Sequence, residues 1–214
     1  MKFIQEQVDS ILFDLDGTLW DSREGVVESW NLILKQKRPD IEALTKQDLT
    51  RLMGLQLPEI GKQLFPDLEE KEREALLQEC CVFENQYLEN KGFTLYPQIE
   101  EGIKRLAKKY TLCIVSNCQE GYIETFFKAT GLGKYFKDFE NPGRTGLLKG
   151  ENIRLVVERN QLKHPVYIGD TLGDFKAARQ AGVPFIFASY GFGEVEEYEK
   201  RIKSFKDLLL QLDV

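Results

Sequence analysis

Ile11-Leu12-Phe13-Asp14-Leu15-Asp16-Gly17-Thr18 is the stretch on which the reading of this chain turns. An apolar run that stops at a glycine-containing turn predicts a buried strand ending in a loop. Side chains two apart in an extended backbone share a face, so Asp14 and Asp16 face one site. Aspartate is a poor strand residue and neighbouring like charges repel, so the pair has no structural rationale. A divalent metal together with a phosphoryl group offsets that repulsion. One carboxylate is then the nucleophile and the other the proton carrier.

Downstream of this strand the pattern is helical for about seventy residues. Arg23 to Gln36 carries Val26, Trp30 and Ile33 on one face, and Glu69 to Asn90 carries Leu76, Cys80, Phe83 and Tyr87 at helical spacing. Thr45 to Phe65 reads as two shorter helices broken around Gly54 and Pro58, and no strand-like alternation occurs in the block. From Gly92 to Pro97 onward, helix and strand alternate. Pro97 opens a helix with Ile99, Ile103, Leu106 and Tyr110 on one stripe. Strands are expected at Leu112-Cys113-Ile114-Val115, Val166-Tyr167-Ile168 and Phe185-Ile186-Phe187, with a weak one near Phe139. Helices are expected over 123–129, 152–159, 174–181 and 204–212. Continuous apolar strands alternating with helices predict a parallel sheet covered on both faces. The helical block interrupts it as an insertion.

The 214 residues suffice for one core, or one core plus a smaller unit. A net charge of −6 without a long basic stripe disfavours nucleic acid and anionic membranes as partners. Met1 to Glu6 is broken by polar residues too early for a signal peptide, and no apolar run is long enough to span a bilayer. Cys80, Cys81, Cys113 and Cys118 lack metal-ligand spacing and read as buried thiols of a cytoplasmic protein. His164 is the sole histidine, which excludes multi-histidine metal sites and disfavours a Ser-His mechanism.

Ligands of an open parallel sheet bind beyond the carboxyl ends of its strands. Ser116-Asn117 directly follows one expected strand, Gly169-Asp170-Thr171-Leu172-Gly173-Asp174 follows another, and Lys149 begins the helix before that second strand. Singly, each has a plain structural reading. Asp170 and Asp174 suit a helix N-cap and first turn, Ser116-Asn117 suits the cap of the next helix, and Lys149 suits a solvated surface. Together and in order, Asp14-x-Asp16-Gly17-Thr18, Ser116, Lys149 and Gly169-Asp170-x-x-x-Asp174 resemble the four motifs of the haloacid dehalogenase superfamily. The branch is the one with a helical cap inserted after the first motif, in its phosphoglycolate phosphatase-like and pyrophosphatase subgroup.

The resemblance implies an α/β Rossmann-like core at 1–19 and 93–214, strand order 5-4-1-2-3, and an all-α cap at 20–92. It implies an Mg²⁺-dependent phosphatase acting on a small phosphorylated metabolite, as a monomer or homodimer. Asp14 becomes the nucleophile, and Mg²⁺ is held by Asp14, the Asp16 backbone carbonyl and Asp170, with Asp174 in support. Asp16 protonates the leaving alcohol and then activates water. Ser116 and Lys149, with Thr18 and Asn117, bind the phosphoryl group. Cap contacts to substrate are expected from Arg23, Arg51 and the Gly54-Leu55-Gln56 turn. Tyr190-Gly191-Phe192-Gly193 resembles the loop after the last core strand of such enzymes. Asp16 points away from dehalogenases, because a halide needs no proton, and no cap lysine has a setting recognisable as that of a phosphonatase. A sugar phosphomutase is the rival enzyme, disfavoured by a cap without histidine. A catalytically idle phosphate-binding regulatory protein is the rival from outside catalysis.

Overall fold

Alternate residues of the apolar strands pack against helices on opposite sides of one sheet, so these strands show no polar face. The computed structural model describes residues 8–214. The reading of Met1 to Glu6 lies outside the described residues. In chain order, β1 (Ser10–Phe13) leads through β2 (Trp20–Asp21) into α1 (Arg23–Lys37), α2 (Lys46–Leu52), α3 (Leu57–Leu64) and α4 (Glu70–Leu88). β3 (Thr94–Leu95), α5 (Ile99–Leu106), β4 (Thr111–Val115), α6 (Tyr122–Thr130), β5 (Asp138–Glu140) and the short α7 (Pro142–Thr145) follow. Next come α8 (Lys149–Arg159), β6 (Pro165–Gly169), α9 (Leu172–Ala181), β7 (Phe185–Ala188), β8 (Lys200–Ile202) and α10 (Phe205–Gln211).

The main sheet is six-stranded, ordered β5-β4-β1-β6-β7-β8, with every pairing parallel. Counted without the short β2 and β3, its first five strands read 5-4-1-2-3 from the opposite edge. The sequence-based order omits β8, a three-residue edge strand too short and too charged to show a period. Ile11, Phe13, Leu112, Ile114, Val166 and Ile168 pack on one side with Ile103, Phe126, Phe205 and Leu208. Leu12, Cys113, Val115 and Tyr167 pack on the other with Ile153, Val156 and Ala178. β1, β4 and β6 thus each contribute to both clusters by strict alternation.

Helices α1 to α4 pack on one another around Trp30, Leu34, Leu76 and Cys80, and α4 also rests on α6. Gly54 separates α2 from α3 as expected, whereas Pro58 sits in the first turn of α3, where its missing N–H costs nothing. The expected absence of strand between 20 and 92 is corrected at one point. Trp20–Asp21 pairs antiparallel with Thr94–Leu95, so a two-stranded ribbon ties the ends of the helical block. Two residues carry no readable period. Among the described residues no helix is long and apolar enough to cross a membrane.

The C-terminal α10 is held by Phe205, 1% exposed, whose ring centroid lies 6.1 Å from that of Phe13. Phe205→Ala is expected to cost about 3–5 kcal/mol through the cavity it leaves. Urea denaturation monitored by circular dichroism measures it; a loss under about 1 kcal/mol would mean α10 is not part of the core.

Candidate active site

Three adjacent parallel strands end level with one another, because Phe13 is in register with both Ile114 of β4 and Ile168 of β6. The next residues therefore emerge side by side. Asp14 extends the pairing by donating its N–H to the Ile168 carbonyl at 2.8 Å, and Ser116 donates its N–H to Glu140 at 3.2 Å. Asp170 follows β6 directly.

At this edge Asp14, Asp170 and Asp174 are all buried, with carboxylate oxygens within 4.8 Å of one another. Lys149, 4% exposed, donates to Asp14 Oδ1 at 2.7 Å and to Asp174 Oδ1 at 2.5 Å. Burial alone favours loss of its proton, but Asp14 and Asp174 overrule this and hold the ammonium above its ordinary range. Burial raises Asp14, Asp174 pushes it further up, and Lys149 and Ser116 pull it down. Asp170 is raised by burial, then by Asp174 and Asp14. One ammonium does not balance this set.

Asp174 serves the helix and the site together. It is the N3 residue of α9, and its Oδ2 accepts from the Thr171 N–H at 3.0 Å while Thr171 Oγ1 accepts from its N–H, a capping box. The N-cap is thus Thr171, and the plain reading of Asp170 as that cap is set aside. Ser116-Asn117 caps nothing, since α6 begins at Tyr122 behind Gly121, and Lys149 is not on the surface.

Asp170 is fixed by a contact that sequence inspection missed: the Phe192 N–H donates to its Oδ2 at 2.6 Å. Its other oxygen, Oδ1, is buried and has no partner among the described residues. Gly17, at φ +81°, and Gly191 press against this carboxylate, and a Cβ on either would collide with it. The Tyr190-to-Gly193 loop therefore clamps Asp170, and Tyr190 Oη donates to the Thr18 carbonyl at 2.8 Å. Thr18 is fully buried, with no partner for its Oγ1 among the described residues.

Asp16 stands apart from the cluster. Its Oδ1 accepts from Ser22 Oγ at 2.5 Å and Tyr122 Oη at 2.9 Å. Burial pushes it up to about 7, the Ser22 and Tyr122 hydroxyls resist, and Asp14 adds to the rise. Neither Ser22 nor Tyr122 carries a sequence signal, because they reach Asp16 only through the fold.

The three expected cap contacts diverge. Gly54 touches the core: its carbonyl accepts from Asn117 Nδ2 at 2.9 Å, and it faces Thr171. Arg23 is already engaged, bidentate on Asp21 at 2.8 and 2.7 Å, bonded to Thr50 and stacked over Phe192 at 4.0 Å. Arg51 is exposed, paired with Asp48 on the rim of a crevice between Gly54 and Gly173. His164 is exposed just ahead of β6, at the far end of the strand from Asp170.

The donor set fits a hard divalent cation. It is all oxygen, carries excess negative charge, and includes a buried carboxylate oxygen with no other partner.

A family model described as haloacid dehalogenase-like hydrolase matches residues 11–188. A plasmid-encoded phosphoglycolate phosphatase of Cupriavidus necator is 25% identical over 198 residues, covering 86% of this chain and 81% of that protein. The pyrophosphatase PpaX of Listeria innocua is 27% identical over 183 residues, covering 82% and 80%. A haloacid dehalogenase-like family protein of Streptococcus pneumoniae has the same fold, with a TM-score of 0.82 at 21% identity over 95% of this chain and 98% of that one.

In metal-free protein Lys149→Met is expected to cost about 3–5 kcal/mol, because it strands buried carboxylates. Groups whose folded pKa is raised bind more protons when folded, so stability falls as pH rises. The loss is therefore expected to be larger at about pH 8 than at about pH 5, measured by urea unfolding in chelator. An equal loss at both pH values would show that the ammonium does not balance the carboxylates.

Proposed function

Because the chain belongs to the haloacid dehalogenase-like hydrolases, we propose that it is a phosphatase hydrolysing a small phosphomonoester through an aspartyl-phosphate on Asp14. The observation that carries this reading is the buried Asp14–Lys149 pair beside the unpartnered Asp170 Oδ1. Mg²⁺ would be held by Asp14, Asp170 and the Asp16 backbone carbonyl, supported by Asp174, and would supply charge neutralisation for the carboxylate and the phosphoryl oxygens.

In the first half-reaction the Asp14 carboxylate attacks phosphorus and the bond to the leaving oxygen breaks. Asp16 gives that oxygen its proton. A carboxyl raised to about 7 still holds a proton near neutrality, as this step requires. In the second half-reaction Asp16, now ionised, takes a proton from water, whose oxygen attacks phosphorus. The bond from phosphorus to Asp14 breaks and phosphate leaves. Lys149 lowers the repulsion between Asp14 and the incoming anion, and Ser116, Asn117 and Thr18 are assigned to the phosphoryl oxygens.

Residues 20–92 would act as a cap over a core of 1–19 and 93–214, with the ribbon of β2 and β3 at their junction. Four free cysteines support a reducing, cytoplasmic setting. A sugar phosphomutase reading loses support, because the only histidine lies at the wrong end of the sheet.

Asp14→Asn is expected to keep its circular dichroism spectrum and lose at least about three orders of magnitude in phosphate release from p-nitrophenyl phosphate. Wild-type release should stop in chelator and return with Mg²⁺. Near-normal turnover by the variant would refute the nucleophile assignment.

Because Asp16 must be protonated in the first step, kcat/KM is expected to fall above about pH 7. Tyr122 holds Asp16 down by donating to its charged form, so Tyr122→Phe should move this limb to higher pH. A limb unmoved, or moved downward, would remove Asp16 as the acid.

A further inference from the structure

Between Asp16 and the helical block lies a small chamber of roughly 70 Å³. That is room for on the order of five water-sized groups. Its walls are mostly apolar, from Val26, Leu49, Ile60 and their neighbours, with Asn117, Gln119 and Tyr122 on the core side. One acid enters from the helical block. Glu84 of α4 is 3% exposed and lines the chamber opposite the core.

Glu84 is held in place, not folded away. Its Oε2 accepts from Trp30 Nε1, and its Oε1 accepts from Gln119 Nε2 at 2.9 Å. Burial pushes its carboxyl up to about 7, against the Gln119 and Trp30 hydrogen bonds, and Asp16 adds to the rise, so the two acids sense each other. Its partners are neutral, and among the described residues no ion pair compensates it, an expensive choice for a residue whose only task is packing. Among the described residues that line the chamber, none is Lys, Arg or His. The nearby cations are engaged elsewhere, Lys149 by Asp14 and Asp174, Arg23 by Asp21, and Arg51 by Asp48.

We propose that this chamber receives the leaving group, and that Glu84 is a specificity-determining residue selecting short alcohols that carry a hydroxyl or ammonium donor and rejecting those that carry a carboxylate. The proposal rests on the phosphatase reading, since the chamber adjoins the acid that protonates the leaving oxygen. A carboxylate placed there meets no cation among mostly apolar walls, and it repels Glu84 whenever that acid is ionised. A hydroxyl or ammonium gives Glu84 a donor instead. The preferred substrate then differs from that in the name of the Cupriavidus relative, whose leaving group is an anion.

The test compares three phosphoesters of similar size: 2-hydroxyethyl phosphate, O-phosphoethanolamine and 2-phosphoglycolate, with p-nitrophenyl phosphate as a generic control. In wild-type protein with Mg²⁺, kcat/KM for the first two is expected to exceed that for 2-phosphoglycolate at least about tenfold. Glu84→Gln, which keeps shape and removes charge, should shrink that ratio by about tenfold, chiefly by improving 2-phosphoglycolate. Active wild-type protein that prefers 2-phosphoglycolate overturns the proposal and leaves the phosphatase reading standing; so does a folded Glu84→Gln with an unchanged ratio. Absence of hydrolysis of all four esters overturns the phosphatase reading and this proposal with it. The wild-type ratios decide the matter even if the variant does not fold.

Discussion

A single ammonium buried among carboxylates is the constraint around which this molecule is arranged. Lys149 bonds to Asp14 and Asp174, and Asp170 joins the same cluster without contacting it. Such a group is costly to desolvate, and removal of either sign would leave the other unpaired in the interior. The fold meets that cost with fixed geometry. β1 and β6 end in register, which brings Asp14 and Asp170 out side by side. Lys149 starts α8, and α9 delivers Asp174 in its first turn. The residual negative charge is what makes the cluster a candidate cation site and not merely a network.

Several residues hold the fold and the site with the same atoms. Asp174 closes the capping box of α9 with one oxygen and receives Lys149 on the other. Phe192 gives its N–H to Asp170 and its ring to Arg23, which is itself locked to Asp21 at the start of the helical block. Asn117, one residue past Ser116, reaches across to the Gly54 carbonyl. The loops beside the sheet and the helical block are thus cross-tied around the cluster by a stacked ring and hydrogen bonds.

This dual use also explains what was legible in the sequence. The sheet was legible because its strands are buried on both sides and stand out as unbroken apolar runs, and Asp14, Ser116, Lys149 and Asp170 each sit at an element boundary that such runs reveal. β8 and the ribbon of β2 and β3 were not, being two or three residues long with no period. Ser22 and Tyr122 stand 100 residues apart and meet only at Asp16. Glu84 was hidden for another reason. On a helix whose exposed face is rich in glutamate, one more acid reads as solvent-facing, and only the packing of α4 on α1 and α6 turns it inward.

The proposed site is therefore polarised along the path a substrate takes. At one end lie Lys149 and the oxygen donors for a cation, where a phosphoryl group is favoured. At the other lie Asp16 and Glu84 in an apolar chamber, where negative charge is penalised. On the proposed function, a phosphoester with a neutral or cationic leaving group would be oriented by this gradient before any specific contact forms. One with an anion at each end is not, because its two ends compete for the same pole. The chamber also sustains the chemistry it receives. On the proposed mechanism, burial of Asp16 would keep its carboxyl protonated for the first proton transfer, whereas the Ser22 and Tyr122 hydroxyls would keep the ionised form accessible for the second. An acid that must donate and then accept is best served by such opposing influences, which hold its pKa near neutrality instead of at either extreme.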